Sequence, residues 1–327
     1  MKQMSANAVI MDDSTLSPYQ IIEKIGRTCY KSENLITEDS AIRFVKSLQN
    51  NRHWAMLEHY HLIFDVSRFE DRLKGIKDYP ELTKYLNITK TQGGRVFVSG
   101  SFRAFLELFE KVKTEQYKGI NAWLRLERKC ADLFPVIFDD PYYKEGVIDP
   151  NLFNYYSRED FINFITGLGE EKELAARHLT HTVLFTCDRG VSHEFVRHRP
   201  CSFAQESTRY CNYSKDKFGN EIAVIEPCFW MGEDKAELLS LWTEAVEFCE
   251  KTYFKMLELG ATPQEARSIL PNSLKTDLII TATEEEWKHI IALRYTGVTG
   301  KPHPQMVEAM SIAYDKLVEE SKGRLKV

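Results

Sequence analysis

The chain has 327 residues, a formal net charge of −5, 43% hydrophobic residues and 28% charged residues. This is the composition of an ordinary globular protein with a sizeable core, and nothing global indicates a nucleic-acid or membrane partner. No apolar run approaches the roughly 20 residues of a membrane-spanning helix, and the acidic N-terminal segment is unlike a signal peptide. We therefore expect a cytoplasmic protein. The seven cysteines lack any C-x-x-C pair, which favours free thiols over a disulfide framework or a metal site.

The first half of the chain contains a predicted helix and a predicted strand, followed by a region of mixed character. Thr37–Asn50 has the pattern of a helix, with Thr37 as its cap and with Ile42, Val45 and Leu48 on one face. His59–Val66 alternates apolar and polar residues, which predicts a strand. Residues from about 69 to 178 form an aromatic-rich region that we interpret as a helical insertion or subdomain. Its helix-like pieces are 102–113 and 121–133, and its loop-like piece is 139–151.

The second half alternates predicted strands with predicted helices. Thr180–Cys187 is a predicted strand that runs into a helix at Arg189–Val196. Asp234–Leu259 is a predicted amphipathic helix that ends at Gly260. Its apolar stripe comprises Leu238, Trp242, Ala245, Cys249 and Met256. The remaining predicted elements are a capped helix start at 262–265, a strand at 274–282, and helices at 284–294 and 304–321. Together they predict a single mixed α/β domain of the α+β class.

The densest chemical signal lies between Ser192 and Tyr210. Arg197, His198 and Arg199 are consecutive, and Arg209 follows ten residues after Arg199. The hydrogen-bonding residues between them are Ser202, Gln205, Ser207 and Thr208. Guanidinium groups combined with hydroxyl groups suit phosphate, so the segment indicates an anion-binding site. A nucleic-acid-binding module that uses residues 192–213 is the alternative, although the chain as a whole is not basic.

The same residues resemble the flavin-dependent thymidylate synthases. Arg197-His198-Arg199, seven residues and then Ser207 is similar to the signature of that family. Upstream, Gly26–Tyr30 and the block from His53 to His59 resemble two further motifs. Downstream, Ala266–Pro271 and Trp287–Arg294 resemble the nucleotide-binding end. The resemblance covers most of the chain outside residues 69–178, and it implies a single domain of the flavin-dependent thymidylate synthase type.

The resemblance implies a role for each matching residue. Residues similar to the dUMP ligands are Glu194, Arg197, Gln205, Glu206, Ser207, Thr208, Arg209, Arg267 and Arg294. Residues similar to the FAD ligands are His53, Glu58, Arg197, His198, Arg199, Thr283 and His289. Arg294 corresponds to the catalytic arginine beside the uracil base, where a guanidinium stabilises charge that develops as C5 becomes nucleophilic. In the family these ligands come from different subunits of a homotetramer.

The implied reaction converts dUMP to dTMP. NADPH reduces FAD, and the reduced flavin mediates transfer of the one-carbon unit of 5,10-methylenetetrahydrofolate and supplies the hydride. An inactive family member with a structural role is a further alternative.

The chain departs from the pattern T-x-N-x-R, because Thr281-Ala-Thr283-Glu284-Glu285 places an anion where the family has a cation. Arg103, which follows a small polar turn in the insertion, is one candidate to supply the missing cation. The alternative is that Arg103 is a surface residue of an unrelated subdomain.

Overall fold

The computed structural model describes residues 1–68, 80–114, 121–141, 152–209, 211–215 and 219–327. Three parts of the expected insertion (69–79, 115–120 and 142–151), together with Tyr210, lie outside the described residues. The strands are β1 (Lys2–Met4), β2 (Asn7–Ile10), β3 (His61–Asp65), β4 (Asn87–Lys90), β5 (Val96–Ser101), β6 (Asn154–Tyr156), β7 (Thr180–Asp188), β8 (Ser202–Gln205), β9 (Ala223–Ile225) and β10 (Lys275–Thr283). The helices are α1 (Pro18–Tyr30), α2 (Ser40–Asn50), α3 (Phe102–Val112), α4 (Asn121–Leu133), α5 (Arg158–Ile165), α6 (Glu171–His178), α7 (Arg189–Phe195), α8 (Ala236–Glu258), α9 (Pro263–Ala266), α10 (Glu284–Ile291) and α11 (Pro304–Glu320).

The central sheet is antiparallel and has the order β2-β7-β10-β8. Strands β7 and β10 pair along their full lengths, from Lys275 opposite Asp188 to Thr283 opposite Thr180. Each strand leads directly into a helix through a capping side chain. Asp188 accepts a hydrogen bond from the Val191 amide at 2.8 Å, and Thr283 accepts one from the Glu286 amide at 3.3 Å. The predictions for these two strands and for the starts of α7 and α10 are confirmed.

Each face of the central sheet is covered by different elements. On one face, α7, α10 and α11 bury an apolar core that includes Phe185 and Phe195, whose ring centroids lie 4.6 Å apart. On the other face, Ala204 and Ile279 pack into a second core together with α1 residues such as Ile22. Since side chains alternate along a strand, Thr276 and Gln205 lie on the α7 side, whereas Asp277 and Thr281 lie on the α1 side.

The second sheet has the order β4-β5-β3-β6 and is also antiparallel. It changes the interpretation of residues 69–178, because β4, β5 and β6 lie within that range. Strands β5 and β6 pair with β3, which precedes the range, and β4 pairs with β5. The region therefore contains strands as well as the expected helices α3 and α4. These strands gave little sequence signal, since β4 and β6 are short and β5 is buried on both faces without alternation.

Three details of the predicted helices are wrong. Helix α2 begins at Ser40 with Asp39 rather than Thr37 at its cap position, and Ile42 is 47% exposed. Helix α8 buries Val246 and Tyr253, whereas Leu238 and Ala245 of the predicted stripe are exposed. Helix α10 ends at Ile291 and continues as a π-helical turn, Ala292–Thr296, which carries Arg294. Among the described residues, no helix is both long enough and apolar enough to cross a membrane.

Candidate active site

Arg294 is held in a fixed orientation by three hydrogen bonds. Its Nη1 donates to Glu194 Oε2 at 2.6 Å, and its Nη2 donates to the Glu194 carbonyl at 3.1 Å. Its Nε donates to His198 Nε2 at 3.1 Å. A guanidinium carries five N–H groups, so the two outer nitrogens each retain one donor for another acceptor. The side chain is 20% exposed, so it is not sealed off from a ligand.

His198 connects Arg294 to helix α10. Because its Nε2 accepts from Arg294, its Nδ1 carries the proton and donates to Glu286 Oε1 at 3.3 Å. The His289 ring lies 5.7 Å from the His198 ring, and the donor atoms of His198, Glu286 and His289 all lie within 4.8 Å of one another. A metal ion on Nδ1 would require an N–H at Nε2, where Arg294 already places a donor. The hydrogen-bond pattern therefore favours a chain of hydrogen bonds from Arg294 to Glu286 over metal coordination.

Arg197 and Arg199 flank His198 and differ from it in exposure. His198 is 6% exposed, whereas both arginines are exposed. Within the described ranges, neither guanidinium forms an ion pair with a carboxylate. Two cations on one short turn, without internal anions, can bind a ligand that carries two negative charges.

The predicted phosphate ligands are brought together where β8 ends. Arg267 Nη1 lies 3.4 Å from Thr208 Oγ1, although the two residues are 59 positions apart. The Arg209 amide donates to Ser207 Oγ at 3.3 Å, which shapes the turn that carries these groups. Both arginines are exposed. Hydroxyl groups and guanidinium groups of this kind satisfy the acceptor oxygens of a phosphate monoester.

Gln205 and Glu206 are adjacent in sequence and serve opposite faces of the central sheet. The Gln205 amide donates to Ser192 Oγ at 2.9 Å, on the side of α7 and Arg294. Glu206 is 4% exposed, and its carboxylate accepts from Lys275 Nζ at 3.0 Å. It therefore serves as an internal ion-pair partner in this structure.

Lys31, Asp277 and Lys275 complete a buried charge cluster that sequence reasoning missed. Lys31 Nζ contacts Asp277 directly and lies 3.8 Å from Glu206 Oε2, while Lys275 Nζ lies 2.6 Å from Asp277 Oδ2. Burial alone would raise the pKa of Asp277, but Lys275 and Lys31 hold it below its usual value. Burial alone would lower the pKa of Lys31, yet the two carboxylates raise it. The one available signal was an aspartate within a predicted strand.

Glu58 and Arg103 form a further charged pair near the start of β8. Arg103 Nη1 donates to Glu58 Oε1 at 2.6 Å, and Arg103 Nε donates to Glu107 Oε1 at 2.7 Å. Ser202 Oγ donates to the Glu58 carbonyl at 3.2 Å, which links this pair to the Arg197–Arg199 turn. Burial raises the pKa of Glu58, and Arg103 opposes that shift.

His53 and Thr283 each occupy an N-cap position, His53 before the 3₁₀ turn Trp54–His59 and Thr283 before α10. Nδ1 of His53 lies 3.3 Å from the Tyr30 hydroxyl, within the block formed by α1 and α2. Thr283 uses its hydroxyl as the cap of α10, and Glu285 in the following turn is exposed. The structure thus collects most predicted residues into neighbouring clusters around β8, α7 and α10.

A cavity of about 360 Å³ lies on the α1 side of the central sheet, away from Arg294. Its lining includes His59, His178, Arg158, Asp12 and Glu320. Asp12, His181 and Glu320 offer oxygen and nitrogen atoms within 4.8 Å of one another. Arg158 fills this position, since its guanidinium lies 3.6 Å from Asp12 and 3.1 Å from Glu320. The cluster is therefore neutralised internally.

Comparison with known families decides what this arrangement belongs to. The family model described as thymidylate synthase complementing protein matches residues 143–317, more than half of the chain. The chain belongs to this family. The match includes α7, β8, β10 and α10, which carry Arg294 and its hydrogen-bond partners.

Curated relatives carry the name flavin-dependent thymidylate synthase. The protein from Pyrococcus abyssi is 31% identical over 131 residues, which is 40% of this chain and 51% of that protein. The protein from Mycobacterium bovis is 31% identical over 167 residues, which is 46% of this chain and 56% of that protein. The chain thus spans about half the length of the curated relatives it matches. A solved UMP/dUMP methylase, PolB from Streptomyces cacaoi, superposes with a TM-score of 0.40 and 14% identity, over 98% of this chain and 93% of that one.

Proposed function

We propose that this protein is a flavin-dependent thymidylate synthase that converts dUMP to dTMP, with 5,10-methylenetetrahydrofolate as one-carbon donor and NADPH as reductant. The observation that carries the proposal is the arrangement around Arg294, in a chain of the thymidylate synthase complementing protein family. The proposed catalytic role of Arg294 is supported by the two N–H groups that its three hydrogen bonds leave available.

Arg294 can stabilise the charge that makes C5 of a uracil base nucleophilic. Electron density that shifts to C5 in one resonance form resides on the N3/O4 side in another, and a fixed guanidinium there lowers its energy. Glu194 and His198 hold the guanidinium before substrate arrives, so little reorganisation is needed during the reaction. The guanidinium is therefore positioned when the protein folds, before the substrate binds.

The nucleotide phosphate would bind at the turn after β8. Ser207 and Thr208 offer hydroxyl groups, and Arg209 and Arg267 offer guanidinium groups. Gln205, on the face of the sheet that carries α7, offers amide atoms closer to the base. Glu206 supports the turn from beneath through its lysine partners. This division gives dUMP a charged anchor at one end and Arg294 at the other.

The residues that would hold FAD fit its pyrophosphate. Arg197 and Arg199 are exposed cations without carboxylate partners in the described structure, and the pyrophosphate carries two negative charges. His53, Glu58, His198, Thr283 and His289 would contribute polar contacts to other parts of FAD. When bound, FAD would supply redox chemistry between NADPH and the one-carbon unit. The protein residues then orient the substrates and hold the charges.

We also propose a cytoplasmic homotetramer in which neighbouring copies complete the active sites, with no nucleic-acid partner. The proposal is supported by the separation of candidate ligands into adjacent clusters on one chain, which leaves each cluster open to solvent.

The test is to purify the protein and measure its absorbance at flavin wavelengths, then dTMP formation with and without each reactant. We expect a yellow protein whose dTMP synthesis requires dUMP, methylenetetrahydrofolate, NADPH and FAD. A colourless protein that neither binds added FAD nor forms dTMP would refute the proposal and indicate an inactive member. Strongly salt-dependent affinity for single-stranded nucleic acid, without flavin binding, would instead indicate a nucleic-acid module.

A further inference from the structure

Helix α10 begins with a sequence whose usual pair of hydrogen bonds is only half made. Thr283 and Glu286 have the spacing of a capping box, in which the carboxylate of the later residue also accepts from the amide of the cap residue. Thr283 Oγ1 does accept from the Glu286 amide, at 3.3 Å. Within the described structure the carboxylate does not return to Thr283, and its Oε1 lies 3.3 Å from His198 Nδ1 instead. The Glu286 side chain therefore serves a partner outside its own helix.

Two other helices of this chain show what the same spacing does when no such partner is present. Gln20 at the start of α1 and Glu265 at the start of α9 both fold back and accept from the amide of their cap residue, at 2.9 and 2.8 Å. Both of these residues are exposed, whereas the Glu286 side chain is only 12% exposed. Removing a carboxylate from water is costly unless a donor compensates, and His198 supplies that donor.

The contact with Glu286 decides which nitrogen of His198 carries the proton. An ionised carboxylate can only accept, so Nδ1 donates to it, and a neutral imidazole then has its acceptor at Nε2. Nε2 is the atom that accepts the Arg294 Nε–H at 3.1 Å. With the proton on Nε2 instead, two N–H groups would face each other and this hydrogen bond would be lost. His198 is 6% exposed, so little water is available to replace it.

We propose that Glu286 is a positioning residue for the reaction: it fixes the tautomer of His198 and, through Nε2, the orientation of the Arg294 guanidinium. The inference rests on the proposed function, which assigns Arg294 to the uracil base. Glu194 holds Nη1 and Nη2 of the guanidinium, and His198 holds its Nε edge. Losing the Nε attachment leaves the guanidinium able to turn on the Glu194 contacts alone.

The first test is the rate of dTMP formation at saturating FAD. In Glu286→Ala we expect kcat to fall about tenfold while KM for dUMP changes by less than about threefold, because the lost contact acts on charge that develops in the transition state. Glu286→Gln should retain most of the rate, since its amide oxygen can still accept from Nδ1. Glu285→Ala is the matched control, because it removes an exposed carboxylate from the same turn, and it should leave kcat unchanged. An equal loss in Glu285→Ala and Glu286→Ala would overturn the proposal.

A double variant tests whether Glu286 acts through Arg294. If it does, the double variant E286A/R294A should be no slower than Arg294→Ala, since the guanidinium that Glu286 orients is already gone. A further tenfold loss in the double variant would show that Glu286 acts independently of Arg294, contrary to the proposal.

Nitrogen-15 spectra of protein labelled at histidine and arginine test the positioning without any reactant. In the native chain we expect His198 to be protonated at Nδ1 and unprotonated at Nε2, and the Arg294 Nε–H to exchange slowly with water. The two signals are assigned by their loss in His198→Gln and Arg294→Lys. The Arg294 Nε–H should exchange faster in Glu286→Ala, but not in Glu286→Gln or Glu285→Ala.

The spectra separate this inference from the proposed function. A native His198 protonated at Nε2, or an unchanged exchange rate in Glu286→Ala, would exclude the positioning role. A native chain that forms no dTMP, but whose spectra respond as expected, would refute the proposed function and still support the positioning of Arg294 by Glu286.

Discussion

Replacing Arg294 with alanine would remove a guanidinium whose position is set by three internal hydrogen bonds. The two N–H groups that remain are the ones we assign to the uracil base. A hydrogen bond from a charged donor contributes about 1.5–3 kcal/mol, and each 1.4 kcal/mol changes a rate about tenfold. One such bond made in the transition state therefore corresponds to a loss of about 10- to 150-fold.

The expected loss lies at the upper end of that range. Loss of one preorganised donor at a developing charge typically costs about a hundredfold or more in kcat. Arg294→Lys keeps the charge but cannot reproduce the three-point attachment, so we expect an intermediate rate. Glu194→Gln keeps an acceptor oxygen and leaves the His198 contact intact, so its rate should fall less than that of Arg294→Ala. Comparing the rates of these three variants separates the effect of the positive charge from the effect of its orientation.

The assay is the rate of dTMP formation at saturating dUMP, with flavin absorbance measured on the same samples. Glu194 is 30% exposed, so water can solvate its carboxylate after Arg294 is removed and the fold should persist. FAD should therefore remain bound in Arg294→Ala. A near-native kcat in that variant would refute the catalytic role. Loss of FAD in step with activity would assign Arg294 to cofactor binding instead.

Three further predictions concern the buried histidines, the cysteines and the effect of metal chelators. Burial lowers the pKa of His59 to about 3 and that of His178 to about 4, so both are neutral in the folded protein, while the unfolded chain takes up protons below pH 6.5. The contribution of each neutral histidine to the free energy of unfolding is complete above pH 6.5 and is lost as pH falls, by about 2 kcal/mol each at pH 5. Denaturant titrations at pH 7 and pH 5 should detect this loss as a lower unfolding midpoint at pH 5. Equal midpoints at the two pH values would contradict the prediction. Each of the seven cysteines, changed singly to serine, should retain dTMP synthesis, because burial raises the pKa of thiols such as Cys29 (to about 12) and suppresses the nucleophilic thiolate. Chelators such as EDTA should leave activity intact, and strong inhibition would show that a metal ion is required.

The elements that were predictable are those whose signals are local. Strands β7 and β10 each contain a short central apolar run, and each is followed by a capping residue and a helix, so sequence alone indicated both. Helix α1 begins with an equally clear local signal. Ser17, Pro18 and Gln20 form a capping box with proline at the first helical position, which predicts a helix start.

The geometry of the site depends on residues that are far apart in the sequence, so it could be seen only in the folded structure. Arg294 and Glu194 are 100 positions apart, and Lys31 and Asp277 are 246 positions apart. No periodic pattern relates such pairs. The resemblance indicated that Glu194 and Arg294 belong to one site, but it gave no indication that Glu194 fixes the guanidinium. Lys31 and Lys275 could not be assigned to an internal charge cluster from the sequence, because a lysine is usually an exposed residue.

The departure at Glu285 can be assessed by counting charges on both candidate turns. Arg103 is bound by Glu58 and Glu107, so one cation faces two carboxylates and the cluster offers no net positive charge to a pyrophosphate. At the start of α10, Glu284 is paired with Arg324 and Glu286 with His198, which leaves Glu285 as the exposed carboxylate of that turn. Neither helix start therefore attracts an anion, despite the favourable helix dipole. The turn of Arg197 and Arg199 holds two exposed cations with no carboxylate bound to them in the described structure. Charge balance thus favours our proposal that the cofactor's phosphates bind at that turn, whereas Arg103 ties α3 to Glu58 in the segment before β3.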